Sequence, residues 1–347
     1  MKKPNHLQHL CQQLFEDNKR ATAPLMGLPG VTTSGYSIKM AGQNYQVQTK
    51  ALTYLADRFQ PDVLFPIMDL STEANALGLY THFPLDETPT VPKRTYSMDF
   101  IDQLEHKEIL ADGRVHSTLT VIDQLYRCYK DQITVGGYIT GPYTLAALIL
   151  GAEEAAIQSM TNPNHLKTVI RKIMPSLLAY GNAQIDAGAR VICILEPSAA
   201  LLSPDQFKQF SMDYVDQICK TMNNRQIPCL LHVCGNTTPL LPVLAESAAD
   251  GFSLDSEATG LNWEKVVQLI PESKVLLGNI NPTGAILKGD RAALSKEINR
   301  VLMQTERRRY FILSTGCDLP PNTPLEMIDH FMETGRDYCL PSNINKG

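Results

Sequence analysis

Short apolar runs rich in β-branched residues alternate along the whole chain with longer stretches of helical periodicity. The runs are residues 23–29 (APLMGLP), 62–69 (DVLFPIMD), 133–140 (ITVGGYIT), 189–196 (ARVICILE), 227–234 (IPCLLHVC), 249–256 (ADGFSLDS), 274–280 (KVLLGNI) and 310–316 (YFILSTG). Several are apolar at successive positions, which suits parallel strands covered on both faces. Each interval is long enough for a crossover helix. Eight strands with eight crossovers predict an α/β fold, a TIM (β/α)8 barrel, as a single domain over residues 1–347.

Helix signals fit this frame. Ser203-Pro204-Asp205-Gln206 reads as a capping box with Pro at the first helical position. It opens a helix with Phe207, Phe210, Tyr214 and Ile218 on one face. Thr323-Pro324-Leu325-Glu326 predicts the same device before the last helix, and Thr238-Pro239 a helix start after strand five. Pro175, inside a helical pattern over about 164–187, predicts a kink or break. The N-terminal MKKPNHLQHLCQQLFEDNKR reads as an amphipathic helical extension and not a signal peptide, because no apolar segment follows the lysines. Residues 85–118 have weak periodicity and are expected as an excursion over the barrel mouth, with His82, His106 and His116 solvated. His330 is expected to face outward, and the terminal SNINKG to fray.

Composition narrows the function classes. The net charge is −5, with no basic stripe, so nucleic acid is not an expected partner. No apolar run reaches the roughly 18 residues of a membrane span. A cytoplasmic setting is expected. The 8 Cys show no small-scaffold spacing and read as reduced thiols, with Cys193 and Cys229 as inert core residues. The sequon Asn236-Thr237-Thr238 carries no weight without a secretion signal.

In a TIM barrel the chemistry sits at the C-terminal strand ends. Asp69, Glu196, Asp255 and Asn279 fall there, and strand three runs into Gly141-Pro142-Tyr143. So do His232 and Cys234, a His-x-Cys pair, with Cys317 just past strand eight. An imidazole and two thiolates are the ligand set of a catalytic zinc ion with one open position. No C-x-x-C occurs, which disfavours a structural four-cysteine site. Asp255, with Glu257 as its alternative, reads as a fourth exchangeable ligand or as a group orienting His232. Tyr143 reads as a pocket wall, and Asp69, Glu196 and Asn279 as substrate contacts.

The segments MDLSTEANALG (68–78), GPYTLAALILG (141–151), AQIDAGARVICILEPSAALLSP (183–204), LLHVCGNTTPLLPVLAESAADGFSLD (230–255), LLGNINPTGAILKGD (276–290) and LSTGCDLPPNTPLEM (313–327) resemble the uroporphyrinogen decarboxylase superfamily over nearly the full length. Within it the chain resembles the methylcobamide:coenzyme M methyltransferases. That resemblance implies a TIM barrel and a zinc ion held by His232, Cys234 and Cys317. It also implies a methyl donor, methylcobalamin, carried on a separate corrinoid protein, with the excursion as its docking surface. The implied acceptor is a zinc-activated small thiol such as coenzyme M, or another thiol or a folate. Transfer in the opposite direction, from a methylated substrate to a corrinoid protein, and thiol binding without turnover are the alternatives. Decarboxylases of the superfamily carry an arginine-rich segment near the N-terminus. Here residues 21–57 hold no arginine, and Cys317 stands where the decarboxylases have a histidine. Both departures disfavour decarboxylation. A more distant resemblance to cobalamin-independent methionine synthases, with a His, Cys, Cys zinc site and a carboxylate, supports Asp255 or Glu257 as a weak fourth ligand.

Overall fold

The computed structural model describes residues 4–341. The terminal SNINKG segment lies outside them. Eight parallel strands form one sheet in the order β1-β8-β7-β6-β5-β4-β3-β2. They are β1 (Ala21–Thr22), β2 (Val63–Leu64), β3 (Thr134–Thr140), β4 (Val191–Leu195), β5 (Cys229–Val233), β6 (Gly251–Leu254), β7 (Val275–Ile280) and β8 (Phe311–Thr315). The first strand sits earlier than residues 23–29, because Gly27–Thr33 is helical and takes over the end of that run. Asp62 joins the two short strands at the ends of the sheet order. Its N–H donates to the Thr22 carbonyl at 3.1 Å, and its carboxylate accepts the Thr22 N–H at 2.7 Å. The sheet thereby closes into a barrel.

Strand periodicity sorts the side chains. Val63, Val191, Leu230, Val275, Leu277 and Ile312 pack together, as do Phe65, Tyr138, Cys193 and Leu195, in one interior cluster. Leu7 and Cys11 belong to the same cluster. They come from the helix His6–Glu16, whose capping box uses Asn5 and Gln8. His6 bonds Thr134 Oγ1 at the start of β3, and Gln8 donates to the Ser273 carbonyl just before β7. The N-terminal helix therefore crosses the N-terminal end of the barrel and gives it an apolar floor. The remaining strand faces point outward into a larger core shared with the helices.

One helical expectation is narrowed and another needs correction. The helix Pro163–Asp186 runs unbroken through Pro175. Leu166, Val169, Ile170, Ile173, Leu177 and Tyr180 bury one face of it along the whole length, which offsets one missing N–H. Thr323 does not cap the last helix, Leu325–Asp337. Its hydroxyl donates to the Pro320 carbonyl, and Pro324 stands at the cap position. The Ser203 capping box does form. The helix it opens passes through a π-helical turn at Lys208–Met212, and Phe207, Phe210, Tyr214 and Ile218 are all buried.

The 85–118 segment is more ordered than its weak pattern suggests. It holds the helix Met98–Gln103, two 3₁₀ turns and the start of the crossover helix Gly113–Tyr129, and Thr90 pairs with His82 in an antiparallel bridge. His82, His106 and His116 are exposed. His330 is half-buried and bonds Ser295 Oγ at 2.7 Å, so it ties two helices together and does not simply face outward.

Candidate metal centre

The barrel interior changes character toward the C-terminal ends of the strands. Continuing the inward alternation, Leu230 leads to His232 and Cys234, Gly251 to Ser253 and Asp255, Leu277 to Asn279, and Ile312 to Ser314. Apolar layers thus give way to a polar mouth without any break in strand geometry.

His232, Cys234 and Cys317 meet there. His232 Nε2 lies 3.2 Å from Cys234 Sγ, and Cys317 Sγ lies 3.8 Å from both Cys234 Sγ and His232 Nε2. Tetrahedral zinc with ordinary bond lengths requires about 3.8 Å between two sulfurs and about 3.5 Å between sulfur and nitrogen. The triangle fits that ion. Among the described residues this is the group of His, Cys, Asp or Glu side chains that can hold a metal. His232 is buried, and the two cysteines are half-buried on the mouth side.

Neighbouring strands fix each of the three side chains. The other ring nitrogen of His232, Nδ1, bonds Ser253 Oγ at 2.9 Å. This holds the ring with Nε2 aimed at the sulfurs. Gly235, at φ 82°, turns the chain away directly after Cys234, and its N–H donates to Asp255 Oδ2 at 2.8 Å. Asp255 Oδ1 accepts from Ser256 N at 2.7 Å. Gly316 brings the turn after β8 against the turn after β6: a Cβ there would lie 2.5 Å from Ser256 N. Hydrogen bonding from Cys234 lowers the Cys317 thiol most, against the effect of burial, and His232 lowers it further. The same contact with Cys317, followed by burial, raises Cys234. Cys317 is therefore the first of the pair to become a thiolate.

The other expected residues take distinct places. Asn279 is buried and donates through Nδ2 to the Asp255 carbonyl. Glu257 lies away from the triangle, in an ion pair with Arg300. Asp69 pairs with Arg114 and also accepts from Ser71 N and Oγ. Glu196 follows Leu195 on the opposite, outward parity of β4. Its carboxylate accepts the N–H groups of Tyr143 at 3.2 Å and Thr144 at 2.6 Å, at the start of the helix Pro142–Leu150. Burial raises Glu196 to about 7 despite these bonds. Tyr143 packs in the core between helices and barrel.

Sequence reasoning passed over Ser253, Asp318, Tyr138 and Glu73. Ser253 stands two residues before Asp255, on the same strand face, and alternation alone points to it. Asp318 directly follows Cys317; its Oδ1 accepts from Gly27 N at 3.3 Å, and burial raises its carboxyl to about 7. Tyr138 is buried against Phe65, ring centroids 4.7 Å apart, and its hydroxyl is raised first by burial and then by Cys193, Asp318 and Cys317. Glu73 accepts from Thr140 N at 2.6 Å and Thr140 Oγ1 at 2.8 Å, and burial raises it to about 7. No spacing in the sequence joins Glu73 to β3.

The sequence model of the family described as uroporphyrinogen decarboxylase (URO-D) matches residues 30–338. The chain belongs to this family. Its curated relatives include the methylated-thiol–coenzyme M methyltransferase of Methanosarcina mazei, 26% identical over 282 residues, covering 80% of this chain and 72% of that one. They also include the uroporphyrinogen decarboxylase of Prochlorococcus marinus, 25% identical over 286 residues, covering 80% of each. A solved structure of a methyltransferase from Methanosarcina mazei superimposes with a TM-score of 0.83 at 22% identity, covering 96% of this chain and 98% of that one. A B12-independent methionine synthase from Shewanella sp. W3-18-1 superimposes with a TM-score of 0.57 at 12% identity, covering 91% and 95%. The URO-D fold is the barrel described above. Among its described residues, no helix is long and apolar enough to cross a membrane.

Proposed function

We propose that this URO-D family member is a zinc-dependent methyltransferase that moves a methyl group from a methylated corrinoid protein to a small thiol. The observation that carries the reading is the His232, Cys234, Cys317 triangle, whose edges suit the ligand spacing of tetrahedral zinc. The similarity to a methylated-thiol–coenzyme M methyltransferase supports the same reaction class. Bound there, zinc supplies the positive charge that keeps an incoming thiol deprotonated at neutral pH.

The chain's own groups supply the rest. Ser253 holds the His232 ring, and Asp255 holds the turn behind Cys234. Glu196 acts at one remove: it fixes the first turn of the Pro142–Leu150 helix beside β4. Asn279 faces the barrel interior and contributes to the acceptor pocket. The 85–118 excursion presents Leu85 and Met98 as exposed apolar groups, and Tyr80 stands exposed just before it, which suits a docking corrinoid protein. Cys317 and the arginine-free 21–57 segment favour methyl transfer over decarboxylation.

The test combines metal analysis with a methylcobalamin assay. Purified protein is expected to hold about one zinc per chain, matching one three-residue site. It is expected to consume methylcobalamin only when both zinc and a thiol are present, and faster from a corrinoid protein. Cys317→Ala should lose zinc and activity together. Full zinc occupancy in that variant would refute the ligand assignment, and inertness of the zinc-loaded protein toward every thiol would refute the reaction.

A further inference from the structure

Two oxygen atoms at the mouth are sealed from solvent and have no hydrogen-bond donor: Asn279 Oδ1 and Asp318 Oδ2. They come from the ends of neighbouring strands, β7 and β8. Asn279 shares the inward parity of Val275 and Leu277, and Asp318 follows Cys317 directly. The orientation of the Asn279 amide is fixed by its neighbour, because Nδ2 donates to the Asp255 carbonyl at 3.3 Å. Exchanging its oxygen and nitrogen would set two acceptors against each other. Buried acceptors are normally paired, and a lone one is costly. Two of them beside a metal centre mark a place where a ligand donates.

The charge pattern of the mouth points the same way. Residues 23–29, 65–71, 141–147, 196–202, 234–240, 255–261, 281–287 and 316–322 follow the eight strands directly, and they contain no Lys or Arg. The same stretches contain Asp69, Glu196, Asp255 and Asp318, and also Glu257, which Arg300 pairs. Arg114 returns to the mouth from the crossover helix Gly113–Tyr129, but Asp69, Ser71 and the Gly42 carbonyl hold its guanidinium. Helix N-termini at a barrel mouth could bind an anion instead. The one beside β4 is already taken, because Glu196 occupies the N–H groups of Tyr143 and Thr144.

We propose that the acceptor of this site is a short thiol whose tail ends in a hydrogen-bond donor, neutral or cationic, and not in an anion such as sulfonate, with Asn279 Oδ1 and Asp318 Oδ2 receiving that donor. The proposal rests on the thiol-methyltransferase reading and names its acceptor class. It makes Asn279 and Asp318 specificity residues, separate from the metal ligands.

A matched series tests it: cysteamine, 2-mercaptoethanol, ethanethiol and 2-mercaptoethanesulfonate (coenzyme M), which share the thiol and differ in the tail. Binding of each to zinc-loaded protein is measured by calorimetry, and methyl transfer from methylcobalamin is measured separately. Cysteamine and 2-mercaptoethanol are expected to bind about tenfold more tightly than ethanethiol, the gain of one well-placed hydrogen bond. The sulfonate is expected to bind most weakly. Asn279→Leu and Asp318→Asn should each shrink the preference for cysteamine over ethanethiol while zinc content is retained. Tightest binding of the sulfonate, an unchanged order in both variants, or no binding of any thiol would overturn the proposal. The expected binding order without any methyl transfer would leave the proposal standing and remove the methyltransferase reading.

Discussion

Ser253 and Glu73 show what single side chains contribute around the centre. The Ser253 hydroxyl is the partner of His232 Nδ1. Partners of this kind set the tautomer and orientation of a metal-ligating histidine, and their loss typically costs about 10–100-fold in metal affinity. Ser253→Ala is expected to weaken zinc binding by that factor, measured by competition with a chelator, with little change in melting temperature of the metal-free protein. Glu73 serves a different purpose, tying the segment after β2 to Thr140 on β3. Burial raises its carboxyl from the ordinary range to about 7 in the folded protein. The folded state therefore holds this proton more firmly than the unfolded chain does. The resulting stability is present below the unfolded pKa and is lost as pH rises to about 7. Glu73→Gln keeps an acceptor for Thr140 N and offers a donor to Thr140 Oγ1, and it has no charge to bury. Its melting temperature relative to wild type should rise from pH 5 to pH 8; a constant difference would contradict this. The meeting of His232, Cys234 and Cys317 was legible in the sequence, because metal-ligand chemistry restricts residue type. Ser253 and Glu73 were not, because a hydroxyl or a carboxylate acting through one hydrogen bond leaves no pattern.

At the level of elements, the sequence announces β3 to β8 well and β1 and β2 poorly. The long central strands are continuous apolar runs, whereas β1 is only Ala21–Thr22 and β2 only Val63–Leu64. Residues 23–29 are as apolar as a strand, but burial at Leu25, Met26 and Leu28 can be met by a turn and a helix as readily. Pro175 does not break its helix for a related reason: packing along the helix outweighs a local preference. The N-terminal helix was legible as amphipathic, but its target was not, since no periodicity says which surface an apolar face will meet. That target is the barrel floor, through Leu7 and Cys11. Leu7→Ala should destabilise the protein by about 2–5 kcal/mol, the usual range for a fully buried leucine. Denaturant titration provides the check, and a loss under about 1 kcal/mol would mean the floor repacks around the smaller side chain.

For the molecule as a whole, closure depends on one residue, through its backbone N–H and its carboxylate. Asp62 supplies both bonds joining β1 to β2, while other neighbouring strands are joined by backbone ladders. Asp62→Ala should loosen the barrel at this seam. Faster hydrogen exchange is expected at Thr22, with protection along β4 to β7 retained, and uniform loss of protection would show that the seam is not a separate unit. The filled floor has a kinetic meaning as well. A barrel stopped at one end by Leu7 and Cys11 is a vessel with a single neck, and Cys234 and Cys317 sit just inside it. Both reactants of the proposed transfer must use that neck: the small thiol passes through it, and the larger reactant, a whole corrinoid protein, corks it from outside. The small thiol must then arrive first, so initial-rate patterns should be ordered with the thiol leading. An excess of corrinoid protein should slow turnover by reaching an empty vessel too early.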